Sequence, residues 1–228
     1  IVVDNQPGAG GIVGLQALAR SAPDGLTLGV VSNNVVIFPS VLKSIPFDMP
    51  GDFTPISVIG YTPVVLVVNA KVPAANHREF SALLKHIPYK GVGPMVSDLL
   101  GGQIQFACVA LPSVQQHLAS GALKAIGMGT AQRVAAASGI PTFVEQGLPG
   151  YVVEAWFAVI APKGLPMAEA QRIHAAVASA FNDPAVKEVM AKQGNVINPG
   201  PLERALPFFR SEMLKYAQLV KKAGVEAS

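Results

Sequence analysis

Apolar residues in IVGLQALARSA recur at helical spacing, with Ile12, Leu15, Leu18 and Ala19 on one face, and the VV pair before Asp4 reads as a strand end. PGAGG lies between them. The opening therefore predicts a strand, a glycine-rich turn and a helix, with Gly10 and Gly11 near the helix start. Pro23-Asp24-Gly25 stops that helix, and LTLGVVS follows as an apolar run of the kind found in strands covered on both faces. PSVLKS reads as a proline-bearing connection. ISVIGY and PVVLVVNA are two strand-like runs joined by Tyr61-Thr62-Pro63 with no helix between, which predicts a chain crossing from one sheet to another.

A second alternating series begins there. HREFSALLKH has a helix pattern, HIPYKG a short strand pattern, and VGPMVSDLLGG a helix stopped by glycines. IQFACVAL, PSVQQHLASG and LKAIGMG continue as strand, helix and strand, an alternation that predicts a second α/β lobe. YVVEAWFAVIAPKG is a long strand-like run offering a return path. PMAEAQRIHAAVASAFN, DPAVKEVMAKQG and PLERALPFFRSEMLKYAQLVKKAG then close the chain as three helices whose apolar positions recur every three or four residues. The expected organisation is a first lobe over 1–62, a second over 63–155, and a return to the first lobe over 156–228. One junction is awkward: the passage from helix to strand at Lys85-His86 has almost no turn chemistry, where α/β connections usually take about 2 to 6 residues. Either the helix ends early or sequence is missing there.

Composition narrows the function classes. With 228 residues, half of them apolar, the chain can build one large or two small cores, and disorder is not expected. The 17 Lys and Arg against 14 Asp and Glu leave a formal charge of only +3, with no basic run to follow a phosphate backbone, so nucleic acid is a poor partner. No apolar run reaches the about 18 residues that predict a membrane-spanning helix. The chain opens at Ile1 without a signal peptide, so a processed or truncated product is expected and export is left open. Cys108 is the single cysteine; it excludes an internal disulfide and reads as a buried small hydrophobe.

Catalytic chemistry is thin. His77, His86, His117 and His174 are scattered without metal-ligand spacing, no G-x-S-x-G elbow occurs, and no metal or cofactor is expected. The glycine turn fits nucleotides badly: Ile12-Val13 stand where a phosphate loop needs Lys and Ser or Thr, and Val13 stands where a dinucleotide turn needs its third glycine. It remains a structural turn or a wall beside a small anion, since backbone N–H groups at a helix start can bind one. Ser32-Asn33-Asn34, directly after a strand, is a cleft wall or an ordinary helix cap. Glu154 within an apolar run needs a partner or water, and Trp156 either lines a cleft or packs between lobes. None of this requires an enzyme.

VVDNQPGAGGIVGLQALARSAPDGLTL, DFTPISVIG, HIPYKGVGPMVSDLLGGQIQF, LPSVQQHLASGALKAIGM, IPTFVEQGLPGYVVEAWFAVIAPKGLP and the closing PLERALPFFRSEMLKYAQLVKKAG together resemble the tripartite tricarboxylate transporter substrate-binding receptors, the Bug family of bacterial periplasmic proteins. The resemblance covers essentially the whole chain. It implies an α/β, two-lobed type II periplasmic-binding-protein-like fold with a ligand cleft between lobes and no enzymatic activity. It further implies a periplasmic location after removal of a signal peptide, a small organic acid as ligand, and membrane permease subunits as partners, with no direct membrane insertion. It also implies that N-terminal and internal segments are missing, the second between Lys85 and His86. Carried over residue by residue, the ligand-binding candidates are Gly10, Gly11, Ser32, Asn33 and Asn34, and Lys90 is a carboxylate partner or a lobe-surface anchor; with Tyr61 at the crossover and Trp156, both read from the sequence itself, it makes up the cleft or hinge candidates. The family's usual Asp before LPS falls on Val109, a departure that weakens transfer of specificity. The alternatives are a small-molecule-modifying α/β enzyme and a sensor or interaction protein on the same fold.

Overall fold

A 17-residue strand, β2 (Phe53–Asn69), passes without interruption through Tyr61-Thr62-Pro63, where the sequence suggested a break. Pro63 has no N–H to give, and the ladder to β3 (Phe106–Ala110) starts one residue later at Val64, so the proline does not interrupt it. The structure is a computed structural model and describes residues 1–6, 8–73, 87, 89 and 91–227. Two units divide it: Ile1–Gly60, Trp156–Lys187 and Ile197–Ser228 form the first, and Tyr61–Ala155 with Glu188–Val196 form the second. The chain thus changes unit within β2, at the residue before Trp156, and again on either side of 188–196. That last segment departs from the expected single return over 156–228. Its reason is local: Thr62 Oγ1 donates to Asn195 Oδ1 at 2.6 Å, and Val196 packs on the second unit's core.

In the first unit, helix α1 (Ile12–Ala19) is followed by strand β1 (Gly29–Ser32) and helix α2 (Asn34–Val41). β1 pairs antiparallel with β5 (Glu154–Pro162), Gly29 opposite Ile160 through Ser32 opposite Phe157, and β5 neighbours β2. The segment read from sequence as a proline-bearing connection is thus partly helix, carried past Pro39 because Val35, Val36 and Phe38 are buried. Tertiary burial outweighs the helix-breaking tendency of a single proline here. Ile56, Ile59, Val159, Leu165 and Ile173 form a core beneath helix α5 (Met167–Asn182). Helix α6 (Pro184–Lys192), which passes into the second unit at Glu188, starts where Asp183 Oδ1 accepts from the N–H groups of Ala185 and Val186, and α7 (Leu202–Lys222) closes the first unit against α2.

In the second unit β2 pairs antiparallel with β3 (Phe106–Ala110) and with β4 (Leu123–Met128), while the short β6 (Val196–Ile197) also joins β2. Val65 and Val67 face one core with Leu99, Val109, Leu111 and Leu123, and Leu66 and Val68 face another with Ile126 and Phe143. A strand buried on both faces has no polar side to show, which is why the run reads PVVLVV. Helix α3 (Val92–Gly101) covers β3, and α4 (Gln115–Ala119) covers β4. Cys108 is a correction to the expected buried hydrophobe: on β3 the alternation buries Ala107 and Val109 and turns Cys108 to the exposed face.

Ser57, fully buried on β2, has a hydroxyl with no hydrogen-bond partner among the described residues. An unmade buried hydrogen bond costs about 1–3 kcal/mol. Ser57→Ala is therefore expected to raise the thermal midpoint, at about 2–4 °C per kcal/mol recovered in a chain of this size. A lowered midpoint would mean that the hydroxyl has a partner after all.

Candidate functional site

The glycine turn takes a backbone path that few residues tolerate. Gly8, Gly10 and Gly11 have φ of 135°, 69° and 103°, and Ala9 between them is held at 45°. A side chain at Gly10 or Gly11 would be strained by that backbone alone, so glycine is required there for conformation. The turn is closed by Gly11 N–H donating to Gly8 carbonyl oxygen at 2.8 Å and leads directly into α1.

Asn34, the first residue of α2, joins the two helix starts. Its Nδ2 donates to Gly10 carbonyl oxygen at 2.6 Å, and its Oδ1 accepts from Ser32 Oγ at 2.7 Å. A cavity of about 450 Å³ opens beside this knot, lined among others by Gln6, Gly11, Gly14, Ser32, Asn34 and Val35, with the exposed Asp4 also on its wall. That volume lies in the about 300–1,000 Å³ range of small-molecule sites. Four of the five ligand-binding candidates, Gly10, Gly11, Ser32 and Asn34, thus meet at one place in the first unit. Gly11, Ser32 and Asn34 line the cavity, whereas Gly10 braces it through Asn34. Asn33 does not line it; its Nδ2 donates to Tyr216 Oη on α7 at 2.8 Å.

Trp156 belongs to a different environment. Only 4 % exposed, it packs against Phe208 and Phe209 at centroid distances of 5.2 and 5.1 Å, and its Nε1 donates to Glu212 Oε2 at 2.8 Å. It is a core residue of the first unit, at the point where the chain enters that unit, and its ring is not available to line a cavity wall. Tyr61 stands where the chain leaves the first unit; burial, and then the charge of Glu154, push its hydroxyl above the ordinary value, so it is neutral at physiological pH. Lys90 and the Lys85-His86 junction lie outside the described residues.

A second cavity, of about 670 Å³, lies in the second unit beside Tyr89, Met95, Phe106 and Cys108. Tyr89 Oη donates to Asp98 Oδ2 at 2.8 Å, and this bond is the leading reason that its hydroxyl titrates above the ordinary range. Cys108 lies on the exposed face of β3, yet the chain crowded around its sulfur partly desolvates it and pushes the thiol up, away from the reactive thiolate. Val109, where the resemblance led one to look for an Asp, is buried in the core. His174 Nδ1 lies 3.1 Å from the Ile56 carbonyl oxygen, a local structural contact. No trio of His, Cys, Asp or Glu able to hold a metal occurs among the described residues.

Sequence reasoning missed Tyr216 and the cavity residues Asp4 and Gln6. Tyr216 could have been suspected because Phe209, Glu212 and Tyr216 recur on one buried face of α7, and polar groups on such a face need partners.

The family described as tripartite tricarboxylate transporter family receptor matches this chain over residues 1–85 and 80–225. BugT of Bordetella pertussis (strain Tohama I) is 31 % identical over 261 residues, covering 99 % of this chain and 80 % of its own length. That alignment is longer than the 228 residues present, so the relative has positions without a counterpart, and the two family matches meet at 80–85, beside the awkward junction. The structure of the periplasmic binding protein BugD is similar at a TM-score of 0.85 and 27 % identity, covering 100 % of this chain and 88 % of that one. R. palustris Rpa4515, solved with adipate, is similar in fold at a TM-score of 0.89 and 23 % identity, covering 100 % and 87 %.

Asn34→Ala removes both side-chain bonds of the knot. The expected outcome is a thermal midpoint lowered by about 2–4 °C and faster amide exchange at Gly10 and Gly11 by hydrogen-exchange mass spectrometry. Unchanged exchange in the turn would mean that the glycine turn holds itself.

Proposed function

This chain belongs to the tripartite tricarboxylate transporter receptor family, and from that membership we propose that it is an extracytoplasmic receptor that captures a small carboxylate, or a related organic anion, and delivers it to a membrane permease. The relatives it resembles are solute-binding receptors, and binding without chemical conversion is the activity proposed here. The periplasm is the proposed location, as for the periplasmic binding protein BugD that it resembles. Rpa4515, solved with adipate, makes dicarboxylates the first ligands to try.

The observation that carries the reading is the Asn34-to-Gly10 bond, which brings the starts of two helices together beside a cavity of ligand size. α2 begins without a side-chain cap, and the first-turn N–H groups of such helices are the donors an anion can accept from. Neutral donors hold a carboxylate without a salt bridge. Hydrogen bonds to a charged group contribute about 1.5–3 kcal/mol each, so three or four of them cover the about 8 kcal/mol of a micromolar complex. The exposed Asp4 on the same wall repels a second negative charge, so a dianion would sit with its remote carboxylate turned away.

Calorimetric titration of the protein with mono-, di- and tricarboxylates is expected to find at least one ligand of micromolar affinity. Such a ligand at a hundredfold excess over its Kd adds about 2.7 kcal/mol to stability, visible as a raised thermal midpoint. Asp4→Asn is expected to tighten dianions more than monoanions. Binding of none of the panel would overturn the proposal.

A further inference from the structure

We infer that Tyr216 is a positioning residue for the carboxylate site, acting through Asn33 and never touching the ligand; this rests on the receptor reading above.

The argument begins with what Asn33 does not do. Asn33 stands at the N-cap of α2, where an asparagine side chain ordinarily accepts from an N–H of the first turn. No side chain caps this helix, and the Asn33 amide reaches 183 positions along the chain to Tyr216 instead. The start of α2 is thereby anchored to α7, while the Asn33 carbonyl oxygen accepts from Val36 N–H of the first turn at 3.3 Å. The next residue is Asn34, which carries the knot to Gly10 and Ser32 and lines the cavity. A shift of Asn33 therefore moves the donors around the cavity, while Phe209 and Trp156 keep α7 packed in the core.

Tyr216 is itself held in place. It is 7 % exposed, and the Lys215 ammonium lies 5.1 Å from its ring centroid. The same ammonium meets Glu212 Oε1 at 2.6 Å, while Glu212 Oε2 accepts from Trp156. One helical face thus fixes the hydroxyl that fixes Asn33. Preorganisation of this kind lowers the ordering cost of binding without adding a ligand contact.

The test uses Tyr216→Phe, which removes the hydroxyl and keeps the ring, with Asn33→Ala and the double variant, each titrated with the tightest carboxylate of the panel. The expected result is binding about tenfold weaker in either single variant, since loss of one hydrogen bond is worth about that factor. The double variant is expected to lose no more than the single ones, because both break the same link. A purely structural tyrosine would lower the midpoint of the free protein and leave affinity unchanged, or its loss would add to that of Asn33→Ala. Either result would overturn the inference while leaving the receptor reading standing. A wild-type protein that binds nothing in the panel would overturn the receptor reading, and this inference with it.

Discussion

A carboxylate buried beneath an indole organises the first unit. Glu212 is 8 % exposed, and a charge so placed is costly unless both oxygens find partners. Trp156 supplies one at the start of β5 and Lys215 the other on the same helix, and the aromatic contacts of Phe208 and Phe209 close around them. Because these requirements fix the rotation of α7, they also fix where Tyr216 meets α2. The glycine turn, Asn34 and the cavity beside them inherit their placement from that rotation.

Much of the fold was readable because burial writes a period into the sequence. The helices α5, α6 and α7 were legible as apolar stripes, and PGAGG was legible as a turn because three glycines before an amphipathic run have few other uses. Ser32, Asn33 and Asn34 were legible as a polar group at a strand end. What failed was punctuation. Tyr61-Thr62-Pro63 looked like a break and is the middle of β2, and Pro39 looked like a connection and lies within α2, since in both cases neighbouring burial decides the outcome. Cys108 was misread because one exposed small apolar residue cannot be told from a buried one inside a run such as IQFACVAL.

The candidate site was only half legible for a related reason. A site residue that binds through its own type and spacing leaves a mark, as the glycines and the triplet do. Tyr216 leaves only its place on the buried face of α7, because the amide it meets lies 183 positions away and nothing local says which group that is. Trp156 had the opposite fault: a rare aromatic drew attention to itself and serves the core. The contrast between the two units is also physical. The second unit keeps a buried valine where the resemblance pointed to an Asp, so the polar groups that gather beside a cavity in the first unit have no counterpart at Val109.

The path of the chain sets an order in time. The second unit is nearly contiguous, whereas the first is assembled from three segments, the last of which contains α7. During synthesis the glycine turn is made well before the helix that anchors Asn33, and until α7 emerges α2 lacks the surface that covers it. A ribosome-bound chain can complete most of the second unit before α7 emerges and must wait for that helix before the start of α2 is anchored, so an early-made part of the first unit is late to acquire its working shape.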